Sequence, residues 1–171
     1  VASHRWVMVD VEPGEELSFS DKVNVPEAKV IADAVEAVRM LREANGMEFS
    51  AERTVGVIVP YRNQIAVVRD ELAKRHYDYD GITIDTVERY QGSERDVIIY
   101  GFTVSRHTQL DFLTSNTFVE DGVTIDRKLN VALTRAREQN VIVCNRQLVS
   151  SDSLFASLAD YVERNGAVVG Y

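Results

Sequence analysis

The chain has 171 residues, of which 45% are apolar and 27% charged, ordinary values that exclude collagen-like, low-complexity and fully disordered chains. A single cysteine, Cys144, excludes an internal disulfide framework and fits a reducing compartment. The net charge of −8 excludes a nucleic-acid binder that uses its whole surface, because phosphate binding rests on Lys and Arg. A local basic face remains open: the stretch from Arg127 to Arg146 carries Arg127, Lys128, Arg135, Arg137 and Arg146 against Glu138 alone. No apolar run approaches the roughly 18–20 residues that cross a bilayer, and the N-terminus lacks the basic-then-apolar layout of a signal peptide. The expectation is a soluble, cytoplasmic, single domain over residues 1–171. Its start on Val1 hints at a piece of a longer chain.

Apolar spacing alternates strands with helices. Arg5–Val11 predicts a strand, followed by a polar loop through Asp21. Asn24-Val-Pro-Glu27 has the layout of a helix start, with Asn24 as cap, Pro26 in the first turn and Glu27 three residues on. That helix buries Val30, Ile31, Ala34, Val35, Val38 and Leu41, and Asn45-Gly46 stops it. Val55–Val59 is a continuous apolar run, as in a strand covered on both faces. Pro60 ends it, and Tyr61–Arg75 predicts the next helix. Ile82–Val87 predicts a strand, Gln91-Gly92 a turn, and Asp96–Val104 a strongly apolar strand. Arg106–Thr124 reads as a long polar loop without a period. Asp126–Arg137 predicts a helix, Val141–Cys144 a buried strand, Ser153–Asn165 a helix and Ala167–Gly170 a last strand. Such alternation implies an α/β domain, a mostly parallel sheet with helices on both faces.

Ligands of open α/β sheets sit beyond the carboxyl ends of the strands, which singles out three polar clusters. On a helical wheel, Leu129, Ala132, Leu133 and Ala136 form a core stripe, while Arg127, Asn130 and Thr134 face away with Arg135 and Arg137 at the edges. This face reads either as a solvated surface or as a place where guanidinium forks meet phosphate. Gln91-Gly92-Ser93-Glu94 reads either as a turn satisfying its own backbone or as a close approach to a ligand, with amide and carboxylate holding hydroxyls or a water. Tyr61 reads as a half-buried aromatic or as a stacking surface for a base. Cys144 belongs to an apolar strand and reads as a core thiol. His76, Asp78 and Asp80 alternate like metal ligands but follow a helix, as a solvated connector does. No G-x-x-x-x-G-K-[ST] loop occurs in the chain, so it does not cradle a β/γ-phosphate by itself.

In this order the clusters resemble motifs IV, V and VI of superfamily 1 helicases, most closely the branch that contains the nonsense-mediated-decay RNA helicase and the replication nuclease-helicase. Val57-Ile-Val-Pro-Tyr-Arg-Asn-Gln64 resembles motif IV, Asp85-Thr-Val-Glu-Arg-Tyr-Gln-Gly-Ser-Glu-Arg-Asp96 motif V and Arg127-Lys-Leu-Asn-Val-Ala-Leu-Thr-Arg-Ala-Arg137 motif VI. The start Asn24-x-x-Glu27-Ala28 also looks like this domain, so the likeness covers about Val7 to Tyr171. It implies a RecA-like fold of the P-loop NTPase type without the P-loop: the second lobe of a motor whose N-terminal RecA-like lobe supplies the P-loop and the magnesium ligands. ATP with magnesium would lie between the lobes and single-stranded DNA or RNA across both, with no membrane partner. Tyr61 would pack on adenine; Gln64, Gln91, Gly92 and Glu94 would line the nucleotide; Arg135 would act as an arginine finger. Thr86 would touch the nucleic-acid backbone, and Arg127 would order its motif. Some relatives place a phosphate-binding arginine after the motif IV glutamine, where this chain has Ile65; Arg62 would take that role. The resemblance further implies that the chain alone neither hydrolyses ATP nor unwinds a duplex. Two rivals are a non-catalytic RecA-like module for protein or nucleic-acid binding, and a small-molecule-binding doubly wound domain, which lacks its Gly-rich turn here.

Overall fold

A computed structural model describes residues 4–12, 22–90, 93–104, 109–110, 117–120 and 123–171, with the backbone alone at 117–120 and 123–127. The strands are β1 (Trp6–Asp10), β2 (Val55–Ile58), β3 (Thr83–Asp85), β4 (Arg95–Gly101), β5 (Thr117–Glu120), β6 (Val123–Asp126), β7 (Ala136–Cys144) and β8 (Ala167–Gly170). The helices are α1 (Val25–Ala44), α2 (Arg62–Ala73), α3 (Arg127–Leu133), α4 (Arg146–Val149) and α5 (Ser153–Asn165). Six strands form one sheet in the order β3-β2-β4-β7-β1-β8. Every pairing in it is parallel.

Both faces of this sheet are dry, which is why its strands read as unbroken apolar runs. Side chains alternate between two clusters along each strand. Val55, Val57, Val97, Ile99, Val141 and Val143 pack with Ala28, Ile31 and Val35 of α1 and Val68 and Leu72 of α2. Ile58, Ile98, Tyr100, Ile142 and Cys144 pack on the other face with Leu129 and Ala132 of α3 and Phe155, Ala159 and Val162 of α5. Cys144 is thus a core thiol, and burial pushes its pKa well up. The cap expected for α1 is present: Asn24 Oδ1 accepts from the Glu27 N–H at 3.0 Å, and Gly46 closes the far end at φ +68, a left-handed conformation that favours glycine.

Three segments differ from the sequence reading. The helix expected to reach Arg137 stops at Leu133, and β7 begins at Ala136 instead of Val141. Asn140 Nδ2 donates to the Leu133 carbonyl at 3.1 Å, and the Arg95 N–H donates to the Arg135 carbonyl at 3.0 Å. Sheet pairing across β4 therefore overrides a run of helix-forming residues. The strand expected over Ile82–Val87 contracts to Thr83–Asp85, followed by a 3₁₀ turn at Val87–Arg89. The expected loop Arg106–Thr124 contains β5, and β6 overlaps its end in an antiparallel hairpin. The polar loop before α1 falls largely outside the described residues.

Candidate functional site

Two groups of side chains stand at opposite ends of the parallel sheet. At the amino ends of its central strands, Arg95 opens β4 opposite Ala136 of β7, so Glu94 and Arg135 are neighbours just ahead of the two strands. Glu94 is exposed and Arg135 half-buried. Arg135 lies in the turn between α3 and β7, where its N–H bonds back to the Ala132 carbonyl at 3.2 Å. Its Nε is buried and has no hydrogen-bond partner among the described residues. A buried guanidinium N–H without an acceptor is unfavourable, and Arg95 Nε, at the start of the facing strand, is orphaned in the same way among the described residues.

Arg137, two residues on, is already engaged. Its Nε meets Asp96 Oδ1 at 3.0 Å, and Arg42 from the end of α1 bridges Asp96 at 3.2 Å and Glu138 at 2.8 Å. This network ties the amino ends of β4 and β7 to α1 and occupies the Asp96 carboxylate.

The other group lies past the carboxyl ends of β2 and β3. Tyr61 occupies the cap position of α2, half-buried, and Arg62 opens that helix, exposed. Gln64 is fully buried. Its Oε1 accepts from the Asn24 N–H at 2.9 Å and its Nε2 donates to the Asn24 carbonyl at 2.8 Å, so its amide splints the start of α1 to α2. Thr86, buried, follows β3; its N–H donates to Asp85 Oδ1 at 2.8 Å. Burial alone would raise the Glu88 pKa, but its own backbone N–H, Lys128 and the Thr86 hydroxyl hold it below the usual range. The Lys128 ammonium, 3.0 Å from Glu88, links this turn to α3.

Tyr61, which the resemblance places on the same nucleotide as Glu94 and Arg135, lies past the carboxyl end of β2, whereas Glu94 and Arg135 precede β4 and β7. From Ala136 to Ile142, the residue level with Ile58 through Tyr100, β7 runs six residues, about 20 Å of strand. The residues following a strand were foreseen; which sheet end the residues before β4 and β7 occupy was not. Gln91 and Gly92 lie outside the described residues, as does the side chain of Arg127. His76 and Asp80 are exposed, and Asp78 Oδ1 accepts from the Asp80 N–H at 3.0 Å, a local turn contact.

One buried acid escaped the sequence reading except as a cap. Glu27 is 1% exposed, and Oε1 accepts from the Thr103 N–H at 2.6 Å. Burial raises its pKa from 4.5 to about 8 against the opposing pull of backbone N–H groups of Thr103 and Phe102. Thr103 sits at φ +60, uncommon for a β-branched residue. The signal for a partner was the acid at an otherwise core-facing turn of α1.

The six-stranded parallel sheet covered by helices on both faces is an α/β, RecA-like arrangement. A family model described as an AAA domain matches residues 2–147. The chain belongs to this family and, within it, to the superfamily 1 helicase domains of the branch containing the nonsense-mediated-decay RNA helicase. It is 31% identical over 115 residues to the DNA-binding protein SMUBP-2 of Mesocricetus auratus, covering 67% of this chain and 10% of that protein. It is 28% identical over 156 residues to the putative helicase MOV-10 of Gallus gallus, covering 86% and 16%. A probable helicase of Dictyostelium discoideum is 32% identical over 120 residues, covering 67% and 11%. The chain thus spans between 10% and 16% of the length of these relatives.

Proposed function

We propose that this chain is the second lobe of an ATP-driven helicase motor, working beside a lobe that carries the P-loop and holds magnesium. One observation carries the reading: Arg135 presents a buried Nε that has no acceptor among the described residues, beside the exposed Glu94, at the amino ends of β4 and β7. In this reading Arg135 meets the γ-phosphate of ATP bound to the neighbouring lobe and neutralises charge as the phosphoryl group departs. Glu94 contacts the nucleotide next to it. Asp96, the nearest other carboxylate of β4, is held by Arg42 and Arg137, which leaves metal binding to the other lobe.

The carboxyl-end group faces away from that edge. Thr86 is proposed to touch the backbone of single-stranded DNA or RNA. Adenine packing by Tyr61, and a phosphate contact from Arg62 in place of Ile65, require the nucleotide to reach round to the carboxyl end. Tyr61→Ala distinguishes the alternatives: a raised KM for ATP supports adenine packing, and a weakened hold on single strands places Tyr61 with Thr86. Gln64 acts through the Asn24 splint.

The test is ATP hydrolysis by the full-length protein, with and without single-stranded DNA or RNA. Arg135→Ala is expected to lower kcat by about 10³-fold or more, as removal of an arginine finger does, with ATP affinity changed only a few-fold. The chain by itself is expected to show no turnover. An unchanged kcat in Arg135→Ala refutes the reading.

A further inference from the structure

One side chain joins the strand that leads to Thr86 with the turn that carries Glu94. Arg95 is half-buried at the start of β4. Its Nη1 donates to Ser93 Oγ at 2.5 Å and to the Glu94 carbonyl at 2.8 Å. Its Nη2 donates to Thr83 Oγ1 on β3 at 3.1 Å, while its main-chain N–H holds the Arg135 carbonyl. The guanidinium lies 5.7 Å from the centre of the Tyr90 ring, within cation–π range. Tyr90 is 1% exposed and donates its hydroxyl to the Thr83 carbonyl at 3.2 Å. Residue 56 of β2 makes room for this: a Cβ on Gly56 would overlap the Tyr90 hydroxyl and fall 3.0 Å from Arg95 Cγ.

We propose that Arg95 is the positioning residue of Glu94, fixing the Ser93 hydroxyl and the Glu94 carbonyl against β3 so that the Glu94 carboxylate is held at the edge beside Arg135. This rests on the reading of Glu94 as a nucleotide contact. The fork shape is what the position needs. Nη1 serves the turn and Nη2 serves β3 at the same time from two nitrogens fixed in one plane, a spacing that the single nitrogen of an ammonium group does not reproduce. Tyr90 supports the fork from its ring face and anchors the chain on the other side of the turn to the same residue, Thr83. Arg95 thereby acts through Glu94 and needs no contact with nucleotide itself.

The experiment measures ATP hydrolysis by the full-length protein, stimulated by single-stranded oligothymidylate or oligouridylate, for Arg95→Ala, Arg95→Lys, Glu94→Ala and the double variant Glu94→Ala/Arg95→Ala. Arg95→Ala and Arg95→Lys are each expected to lower kcat/KM for ATP about 10-fold, the scale of a lost charged hydrogen bond, mainly through KM. The double variant is expected to match Glu94→Ala alone. Wild-type kcat/KM in Arg95→Lys overturns the proposal, as does a double variant that loses the product of the two single losses. An unchanged kcat/KM in Glu94→Ala instead overturns the role of Glu94 on which it rests. Arg95→Lys keeps the aliphatic stem near Tyr90 and carries the test where Arg95→Ala does not fold.

Discussion

Gly56→Ala is the sharpest probe of how the amino ends of the sheet are built. The added methyl would overlap the Tyr90 hydroxyl and lie 2.8 Å from Tyr90 Cζ, a ring that is 1% exposed and has no space to retreat into. Overpacking of this kind costs about 1–3 kcal/mol, and displacing the ring forfeits the Tyr90–Thr83 hydrogen bond, about 1 kcal/mol more. Gly56 has no left-handed φ, so alanine gains back about 0.4–1 kcal/mol from the unfolded state. The steric terms win, leaving a net loss of about 2 kcal/mol. For a domain of this size that lowers Tm by about 4–8 °C. Thermal unfolding of Gly56→Ala, Tyr90→Phe and the double variant reads the outcome. Removing the hydroxyl relieves the worst overlap, so the double variant should recover at least about 0.5 kcal/mol relative to additivity. A Tm for Gly56→Ala within about 1 °C of the parent, or strict additivity in the double variant, refutes this account of the brace.

Other outcomes follow from the buried polar groups. Glu27 has its pKa raised from 4.5 to about 8, so the folded state binds the proton more tightly than the unfolded state. The stability this contributes is complete below pH 4.5 and is lost as pH rises to about 8, by up to about 4 kcal/mol. Urea unfolding at pH 5 and pH 8 should show that loss in the parent and not in Glu27→Gln; equal pH dependence in both would contradict it. Gln64→Leu leaves the Asn24 N–H without its partner, while the Asn24 carbonyl keeps the Ala28 N–H, and should destabilise by about 1–2 kcal/mol. A denaturation midpoint shifted by under about 0.5 kcal/mol would show that the splint is unimportant.

The class of fold was legible because burial on both faces leaves a plain trace in composition: Val55–Val59 has no polar residue to mark a wet side. The start of α1 was legible for a similar reason, since Asn24, Pro26 and Glu27 each act within one turn of helix. Events decided by a distant strand were hidden. The sequence Ala136-Arg-Glu-Gln139 favours helix on local grounds, and only its pairing with Arg95 and Val97 on β4 turns it into strand. The same distance hid the division of the candidate site. Glu94 visibly precedes an apolar run, but Arg135 reads as helical, so its place at the amino edge opposite Glu94 comes only from the early start of β7 and its register with β4. Gln64 enters the nucleotide site only through the motif IV resemblance, and its partner Asn24 lies forty residues upstream, beyond any local signal.

The two outermost strands, β3 and β8, are only three and four residues long. Such stubs are poor templates for lateral addition of a foreign strand, and the flat surfaces between them are already roofed by helices. Edge-to-edge extension of the sheet is therefore disfavoured, and contacts with any other chain fall to loops and helix tips, where they can form and part without unzipping any ladder.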